Sequence, residues 1–516
     1  MDRLNPDKPN TAFESIPGLV RNYSDTDPDK TAVQVDSNSL SYRDLDRAMD
    51  RMAATFQEQQ LALGDVVAIC AVTSLDYVVV FLGALRAGLV PAPVAPSVTA
   101  EQLSSMLKDC GAKLLFADML AKATNDSIIR ISIDAESPGI RLSDWLLPTG
   151  SKPAEIEVQP DWLFNIIYSS GTTGTPKGIA QSHGMRWAQI LRGAGYGYSS
   201  NTRTLLATPL YSNTTLVSFF PTLAFGGSVY LMPKFDALRY LQFAEELQIT
   251  HSMLVPVQYQ RIMALAEFDN FDLSSFEMKF CTSGPFNGDM KSDILQRWPG
   301  GLIEIYGMTE GGGACVLKAH EHPTKLHTVG QPVPGHDIRL LGADDSVAAA
   351  GEQGEIVGHS PSMMQGYYGQ PEKTGEIEWY ADDGKRFLRS GDIGRFDEEG
   401  FLILVDRKKD MIISGGFNIF PSDLENTLLG HPSIEEAAVI GVPSEKWGET
   451  PVAYVVFNKD GKTSSRDLLE WCNQRVSSVQ RLANLFAVEA LPRNGIGKVM
   501  KKELQERFLA NSDQAC

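Results

Sequence analysis

The segment Tyr168-Ser169-Ser170-Gly171-Thr172-Thr173-Gly174-Thr175-Pro176-Lys177-Gly178 gathers glycines, hydroxyls and one lysine directly after the apolar run Trp162-Leu163-Phe164-Asn165-Ile166-Ile167. This composition suits phosphate. Glycines let backbone N–H groups approach an anion closely, hydroxyls donate hydrogen bonds, and lysine adds charge. The segment is not a Walker A loop, which ends in Gly-Lys-Ser/Thr, because Lys177 stands between Pro176 and Gly178. A flexible linker would share the glycines and hydroxyls. It would not share the Pro-Lys-Gly exit or the buried strand ahead of it. His320, His322 and His327 are also close in sequence. Their spacing admits a metal site, but no cysteine or repeated ligand pattern accompanies them. No Ser-His-Asp or Cys-His grouping marks a side-chain nucleophile.

Such a loop must be positioned by a layered scaffold. Apolar runs at Val66–Cys70, Lys113–Phe116, Thr204–Ala207, Ser228–Met232, Ser252–Val255, Met278–Cys281 and Leu302–Ile305 read as strands. Helical patterns at Leu75–Ala87, Leu238–Leu247 and Met290–Trp298 alternate with them, which predicts α/β layers with largely parallel sheets. Turns thicken between Val329 and Gly366 and predict a β-rich section. A separate rhythm follows: a helix at Ser422–Leu429, strands at Ala437–Val442 and Val452–Phe457, a helix at Asp467–Val476 and a strand at Leu485–Leu491. The charged break Asp406-Arg407-Lys408-Lys409-Asp410 divides the two parts, giving domains at 1–406 and 407–516. The chain's 516 residues call for more than one core. The net charge of −18 argues against nucleic-acid binding, so an anionic ligand must be held by local devices. Met1–Asn10 lacks the pattern of a signal peptide, and the apolar stretch Tyr77–Leu85 is too short for a membrane span. The six scattered cysteines contain no CxxC and read as reduced thiols of a cytoplasmic protein, with packing roles for Cys281 and Cys315.

The loop resembles the signature of the ANL adenylate-forming superfamily of acyl- and aryl-CoA synthetases, adenylation domains and luciferases. Further motifs continue the resemblance in order along residues 15 to 510. It implies a large N-terminal adenylation domain of layered α/β sheets plus a β-rich section, and a small mobile α+β C-terminal domain. It also implies ATP, Mg²⁺ and CoA. Ser169, Ser170, Gly171, Thr172, Thr173, Gly174 and Lys177 would hold phosphates. In Tyr306-Gly307-Met308-Thr309-Glu310, the tyrosine would stack on adenine, Thr309 would lie by the α-phosphate and the substrate carboxylate, and Glu310 would hold Mg²⁺, a hard oxygen ligand for a hard ion. Ser283 and Gly284 match the adenine-edge loop, although Gly284-Pro285-Phe286 departs from the usual alanine-containing form. Asp392 in Ser390-Gly391-Asp392 would accept hydrogen bonds from the ribose hydroxyls, joined by Arg407 fifteen residues on. Lys409 falls at the hinge about which the last domain turns between two half-reactions. Gly415-Gly416-Phe417 would line the pantetheine tunnel, and Ile413 departs from the lysine common in plant 4-coumarate–CoA ligases. Lys498, in Pro492-Arg493-Asn494-Gly495-Ile496-Gly497-Lys498, would stabilise charge as the carboxylate displaces pyrophosphate.

The implied reaction is acyl-adenylate formation followed by transfer to a thiol. Amino-acid-activating relatives place an aspartate where this chain has Tyr211-Ser212, so α-amino acids are disfavoured. Tyr211, Ser212, Gly307 and Met308 are candidate pocket residues, and Gly311-Gly312-Gly313 could leave space for a flat ring. The order Pro-Leu-Tyr-Ser-Asn-Thr-Thr is similar to bacterial feruloyl-CoA and 4-coumarate-like ligases, which makes ferulate or p-coumarate the expected acid. A fatty acid is the alternative, as is a stand-alone adenylate former serving a carrier protein. A non-enzymatic nucleotide-binding scaffold is the third reading. Tyr211-Ser212 could equally be the start of a helix with no substrate role. The partner is a small carboxylic acid, with no nucleic acid or membrane, and a homodimer is compatible with the reading.

Overall fold

The computed structural model describes residues 12–122, 127–134, 136–169, 177–414, 417–458, 463–494 and 497–512. Chain contacts divide it into two compact units, residues 1–338 with 358–388, and residues 339–357 with 389–516.

In the larger unit a nine-stranded sheet runs in the order Gln331–Pro332, Ala314–Lys318, Gly301–Gly307, Met278–Cys281, His251–Leu254, Arg203–Leu206, Ser228–Leu231, Thr31–Val35 and Asn38–Ser41. The six strands from Gly301–Gly307 to Thr31–Val35 are parallel, and antiparallel strands close both edges. A second, all-parallel sheet follows the order Val90–Val94, Val66–Cys70, Leu114–Ala117, Ile129–Ser132 and Ile140–Arg141. Every residue of Val66–Cys70 is buried, as a parallel strand covered on both faces demands. Helices Tyr42–Glu58, Leu75–Arg86 and Asn213–Ala224 contribute much of the main core, where Phe56, Phe116, Phe164 and Phe220 are sealed from solvent. Their starts are set by serine caps: Ser41, Ser74 and Ser212 each accept from a backbone N–H in the first turn. A small antiparallel sheet joins Gly366–Tyr367, Lys177–Ser182 and Leu163–Ser169.

The smaller unit has its own sheet, in the order Phe417–Ile419, Ile412–Ser414, Gly448–Phe457 and Ile434–Ser444, with Asn484–Ala487 parallel to Gly448–Phe457. Helices Pro421–Leu429 and Ser465–Asn473 bury Leu424, Leu428, Leu468 and Cys472 against it. Leu402–Arg407 pairs antiparallel with the latter half of Arg386–Phe396, and Asp392 stands opposite Arg407.

The expected strands and helices are present at the expected places, most within a residue or two. Lys177–Ser182 is a strand that the sequence pattern did not suggest. Among the described residues no helix is long and apolar enough to cross a membrane. Cys70, Cys110, Cys281, Cys315 and Cys472 are buried free thiols.

Candidate active site

Ser170, Gly171, Thr172, Thr173 and Gly174, together with Gly415 and Gly416, lie outside the described residues, as does the side chain of Ser169. The two strands flanking the phosphate-type loop are fixed. Ser169 and Lys177 are direct cross-strand partners at the end of an antiparallel pair. Tyr168 anchors the first strand by donating to Asp109 Oδ2 at 2.7 Å. Lys177 Nζ lies 5.0 Å from the centre of the Tyr367 ring. The Tyr367 hydroxyl donates to Glu310 Oε1 at 2.9 Å, and the Glu310 carbonyl accepts from Met364 N–H at 2.8 Å. Burial, then the Glu310 charge, raises the Tyr367 phenol well above its ordinary range, so it stays protonated and keeps donating. Lysine and carboxylate are thus positioned by one tyrosine. A single aimed carboxylate suits an ion that takes its other ligands from phosphate oxygens and water, the usual habit of Mg²⁺. Among the described residues no group of three or more His, Cys, Asp or Glu could hold a metal alone.

Strand Gly301–Gly307 carries Tyr306 and delivers Met308 and Thr309 to the wall of a cavity of about 140 Å³. The Thr309 carbonyl is pinned by Gln181 Nε2 at 3.0 Å. Of the expected site residues, Thr309, Gly307, Met308, Gly311 and Ser283 line this cavity. Ser283 takes a left-handed backbone, φ 75°, and shares a 2.6 Å hydrogen bond with the Thr214 hydroxyl. Gly284 lies next to it, beside Pro256. Tyr211, Ser212 and Gly312 are not among the lining residues. Ser212 instead caps helix Asn213–Ala224 through the Thr214 N–H, and the residues after it, Asn213 and Thr214, reach the cavity. The triple glycine permits a close backbone approach more than it leaves a void. A Cβ on Gly311 would stand 1.7 Å from the Ser362 carbonyl oxygen, and one on Gly358 1.6 Å from that of Gly312.

The rest of the lining had no signal in the sequence pattern. Tyr196, Tyr198, Met253, Phe280 and Val217 supply apolar surface, and the rings of Tyr198 and Phe280 stack at 5.9 Å and 12°. Gln189, Arg192, His336, Ser360 and Ser362 supply polar groups, and no carboxylate is in the described lining. Behind this wall Arg186 is buried with amides as its partners. It donates to Asn165 Oδ1 at 3.5 Å, Asn213 Oδ1 at 3.1 Å and Gln189 Oε1 at 2.8 Å, and also to Gln181 Oε1. Burial pulls its guanidinium down to about 9, still cationic at neutral pH.

In the smaller unit Arg407 Nε pairs with Asp392 Oδ1 at 3.1 Å, and Asp392 N–H donates to Ser390 Oγ at 3.0 Å. Ser390, Gly391, Arg407, Lys408 and Lys409 line a second cavity of about 270 Å³. Arg493 and Val499 form an antiparallel bridge, and Lys498 directly precedes Val499. The Lys498 N–H donates to Asn494 Oδ1 at 2.9 Å, and Arg493 Nη1 donates to the Gly497 carbonyl at 2.7 Å. Burial, then the neighbouring Arg407 and Lys409, lowers the Lys498 ammonium to about 8. Burial likewise lowers Lys409. Phe417 is exposed.

The sequence profile of the AMP-binding enzyme family matches residues 20–368, and that of the AMP-binding enzyme C-terminal domain matches residues 423–498. The chain belongs to the AMP-binding enzyme family. In class it is an AMP-forming acid–thiol ligase, an adenylate-forming acyl-CoA ligase. It is 33% identical to a feruloyl-CoA synthase of Amycolatopsis sp, over 93% of this chain and 96% of that one. It is 30% identical to a long-chain-fatty-acid–CoA ligase of Mycobacterium tuberculosis, over 91% of this chain and 93% of that one. Its fold is similar to that of ATP-bound MatB from Rhodopseudomonas palustris, with a TM-score of 0.85, 27% identity and coverage of 96% of this chain and 99% of that one.

Proposed function

We propose that this protein is an ATP-dependent hydroxycinnamate–CoA ligase acting on acids such as ferulate or p-coumarate. The observation that carries the reading is the cavity beside Thr309. It joins stacked aromatic rings to hydroxyl, amide and cationic groups, and its described lining holds no carboxylate that would receive a substrate ammonium. A planar phenolic acid uses all of these surfaces. The likeness to a feruloyl-CoA synthase supports the same reading.

The first step joins a substrate carboxylate oxygen to the α-phosphorus of ATP and breaks the α–β bridge, releasing pyrophosphate. In the second, the CoA sulfur attacks the acyl carbon. The bond to AMP breaks, AMP leaves with the electron pair, and the thiol proton passes to solvent. Because no side chain becomes covalently bound, the residues act by positioning and by charge. Lys177 and residues 169–174 are assigned to the β- and γ-phosphates. Thr309 is assigned to the α-phosphate and the acid carboxylate, and Lys498 to the charge that develops in the displacement. Asp392 with Arg407 takes the ribose, Tyr306 the adenine face, and Ser283 with Gly284 its edge. Glu310, held by Tyr367, is the residue that would bind Mg²⁺, which when bound disperses the charge of the triphosphate. Lys409 is assigned the hinge between the half-reactions, and Gly415, Gly416 and Phe417 the pantetheine arm. A homodimer is compatible with these assignments.

The test is pyrophosphate release with ATP and Mg²⁺ over ferulate, p-coumarate, benzoate, octanoate, palmitate and phenylalanine, with and without CoA. CoA-stimulated turnover led by the hydroxycinnamates supports the proposal. Turnover led by octanoate or palmitate replaces it with a fatty acyl-CoA ligase. Pyrophosphate release without CoA stimulation replaces it with an adenylate former serving a carrier protein.

A further inference from the structure

The acid cavity contains a pair of basic side chains, one charged and one neutral, for which the adenylation chemistry has no use. Arg192 Nη1 lies 3.3 Å from Nε2 of His336, and both side chains line the cavity. The other ring nitrogen of His336, Nδ1, accepts from the backbone N–H of Ala314 at 2.9 Å. Nδ1 therefore presents its lone pair, and in a neutral ring the proton sits on Nε2. Burial, with Arg192 and His359 adding to it, pulls His336 down to about 4, so the ring is neutral near pH 7. The Nε2–H of His336 and the guanidinium of Arg192 are both donors, and they face one another across the 3.3 Å contact. Among the described residues Arg192 makes no ion pair with a carboxylate. Tyr196 adds its phenol to the electrostatic surroundings of Arg192.

We propose that Arg192 and His336 form an acceptor-binding end of the acid pocket, selecting acids that carry an oxygen remote from the reacting carboxyl. The inference rests on the reading of this cavity as the acid site. An oxygen lone pair or anion placed against both donors satisfies each of them, and its charge is matched by the guanidinium. A bare hydrocarbon end would desolvate two donors and return nothing, which is the strongest form of discrimination a pocket can make. The phenolic oxygen of a hydroxycinnamate meets the requirement, and so does the far carboxylate of a dicarboxylic acid. A plain fatty acid or unsubstituted cinnamate does not.

The experiment compares kcat/KM for pyrophosphate release within two matched pairs, p-coumarate with cinnamate and suberate with octanoate. Thermal shift with the same four acids in the presence of ATP reports acids that bind without reacting. The expected result is that the oxygen-bearing member leads its partner by about tenfold or more in at least one pair. Arg192→Leu and His336→Leu should bring that ratio to within about threefold of unity. His336→Gln should keep it, because the glutamine Oε1 can accept from Ala314 N–H while its amide N–H donates into the cavity. If Arg192→Leu does not fold, the two His336 variants carry the test. Equal handling of both members of both pairs by the wild type overturns the proposal. A preference that survives undiminished in the leucine variants also overturns it. A preference confined to p-coumarate assigns the site to a phenol, and one confined to suberate assigns it to a carboxylate. In the second case the hydroxycinnamate reading fails while the acceptor-binding end stands.

Discussion

Replacing Gly311 by alanine should destabilise the larger unit by an amount that two separable effects determine. The backbone at Gly311 is left-handed, φ 76°, which costs an L-residue about 1–2 kcal/mol. The new methyl would also lie 1.7 Å from the Ser362 carbonyl oxygen, where ordinary contact is 3.4–4 Å. No rotamer can relieve a clash between Cβ and backbone, so the 358–362 segment must back away. Overpacking of that kind costs about 1–3 kcal/mol. A less flexible unfolded chain returns about 0.4–1 kcal/mol, leaving a net loss of about 1–4.6 kcal/mol. Gly335 isolates the first effect: its φ is 80°, yet nothing lies within 4 Å of its added Cβ. Gly335→Ala should therefore cost about 1 kcal/mol or less. Urea unfolding followed by tryptophan fluorescence, with the slope fitted for each variant, measures both. If the two variants fall within about 0.5 kcal/mol of each other, the clash argument is refuted.

Lys498→Ala should lower acyl-adenylate formation by about 10²–10³-fold while thioester formation from supplied acyl-adenylate persists, and equal loss in both half-reactions would remove the assigned role. The wild-type adenylation rate should fall as pH rises through about 8, where Lys498 loses its proton, and a flat profile up to pH 10 would contradict that ammonium's involvement. Below that pH the cation sits in a folded site that disfavours it relative to the unfolded chain. The penalty is complete there and fades between about 8 and the ordinary 10.5, so this group alone makes stability rise with pH across that window. Ser212→Ala should lose about 1 kcal/mol, as the removal of a helix cap predicts, with the order of acid preference unchanged; a reordered preference would return Ser212 to the pocket. Lys291 and Glu304 form a buried ion pair, so Lys291→Met alone should cost about 3–5 kcal/mol in urea unfolding. Adding Glu304→Leu should recover most of the loss, and failure to recover would show that Lys291 matters chiefly through its bonds to the Leu326 and Thr328 carbonyls.

The alternation of apolar runs with helical patterns made the parallel sheets legible, since a strand buried on both faces, such as Val66–Cys70, announces itself by composition. Asp392 and Arg407 were expected together from the family resemblance alone; the antiparallel ladder that sets them opposite one another had no signal in the sequence. The strand Lys177–Ser182 was not legible, because it opens on the polar end of the phosphate-type loop and is defined by its pairing with Leu163–Ser169. The triple glycine at Gly311 read as open space because its occupants, the Ser362 carbonyl and Gly358, lie far away in sequence. Arg192 and His336 gave no signal at all. Arg192 opens the short 3-10 helix Arg192–Tyr196 and His336 directly precedes the strand Asp337–Leu341, and they acquire meaning only when the first residue of strand Ala314–Lys318 fixes the histidine ring.

The setting of Arg186 has a consequence for how the enzyme behaves in changing surroundings. Carboxamides from four positions surround that guanidinium as a frozen solvent shell, each dipole turned toward the charge and unable to relax away. Amides do not titrate. A cation matched by carboxylates would see its local field strengthen or fade as they gained or lost protons, but this one meets a constant environment from mildly acidic to mildly alkaline conditions. The positive potential behind Asn213 and Gln189 therefore stays steady at every pH well below about 9, where the guanidinium itself titrates, and mild acidification leaves it unchanged.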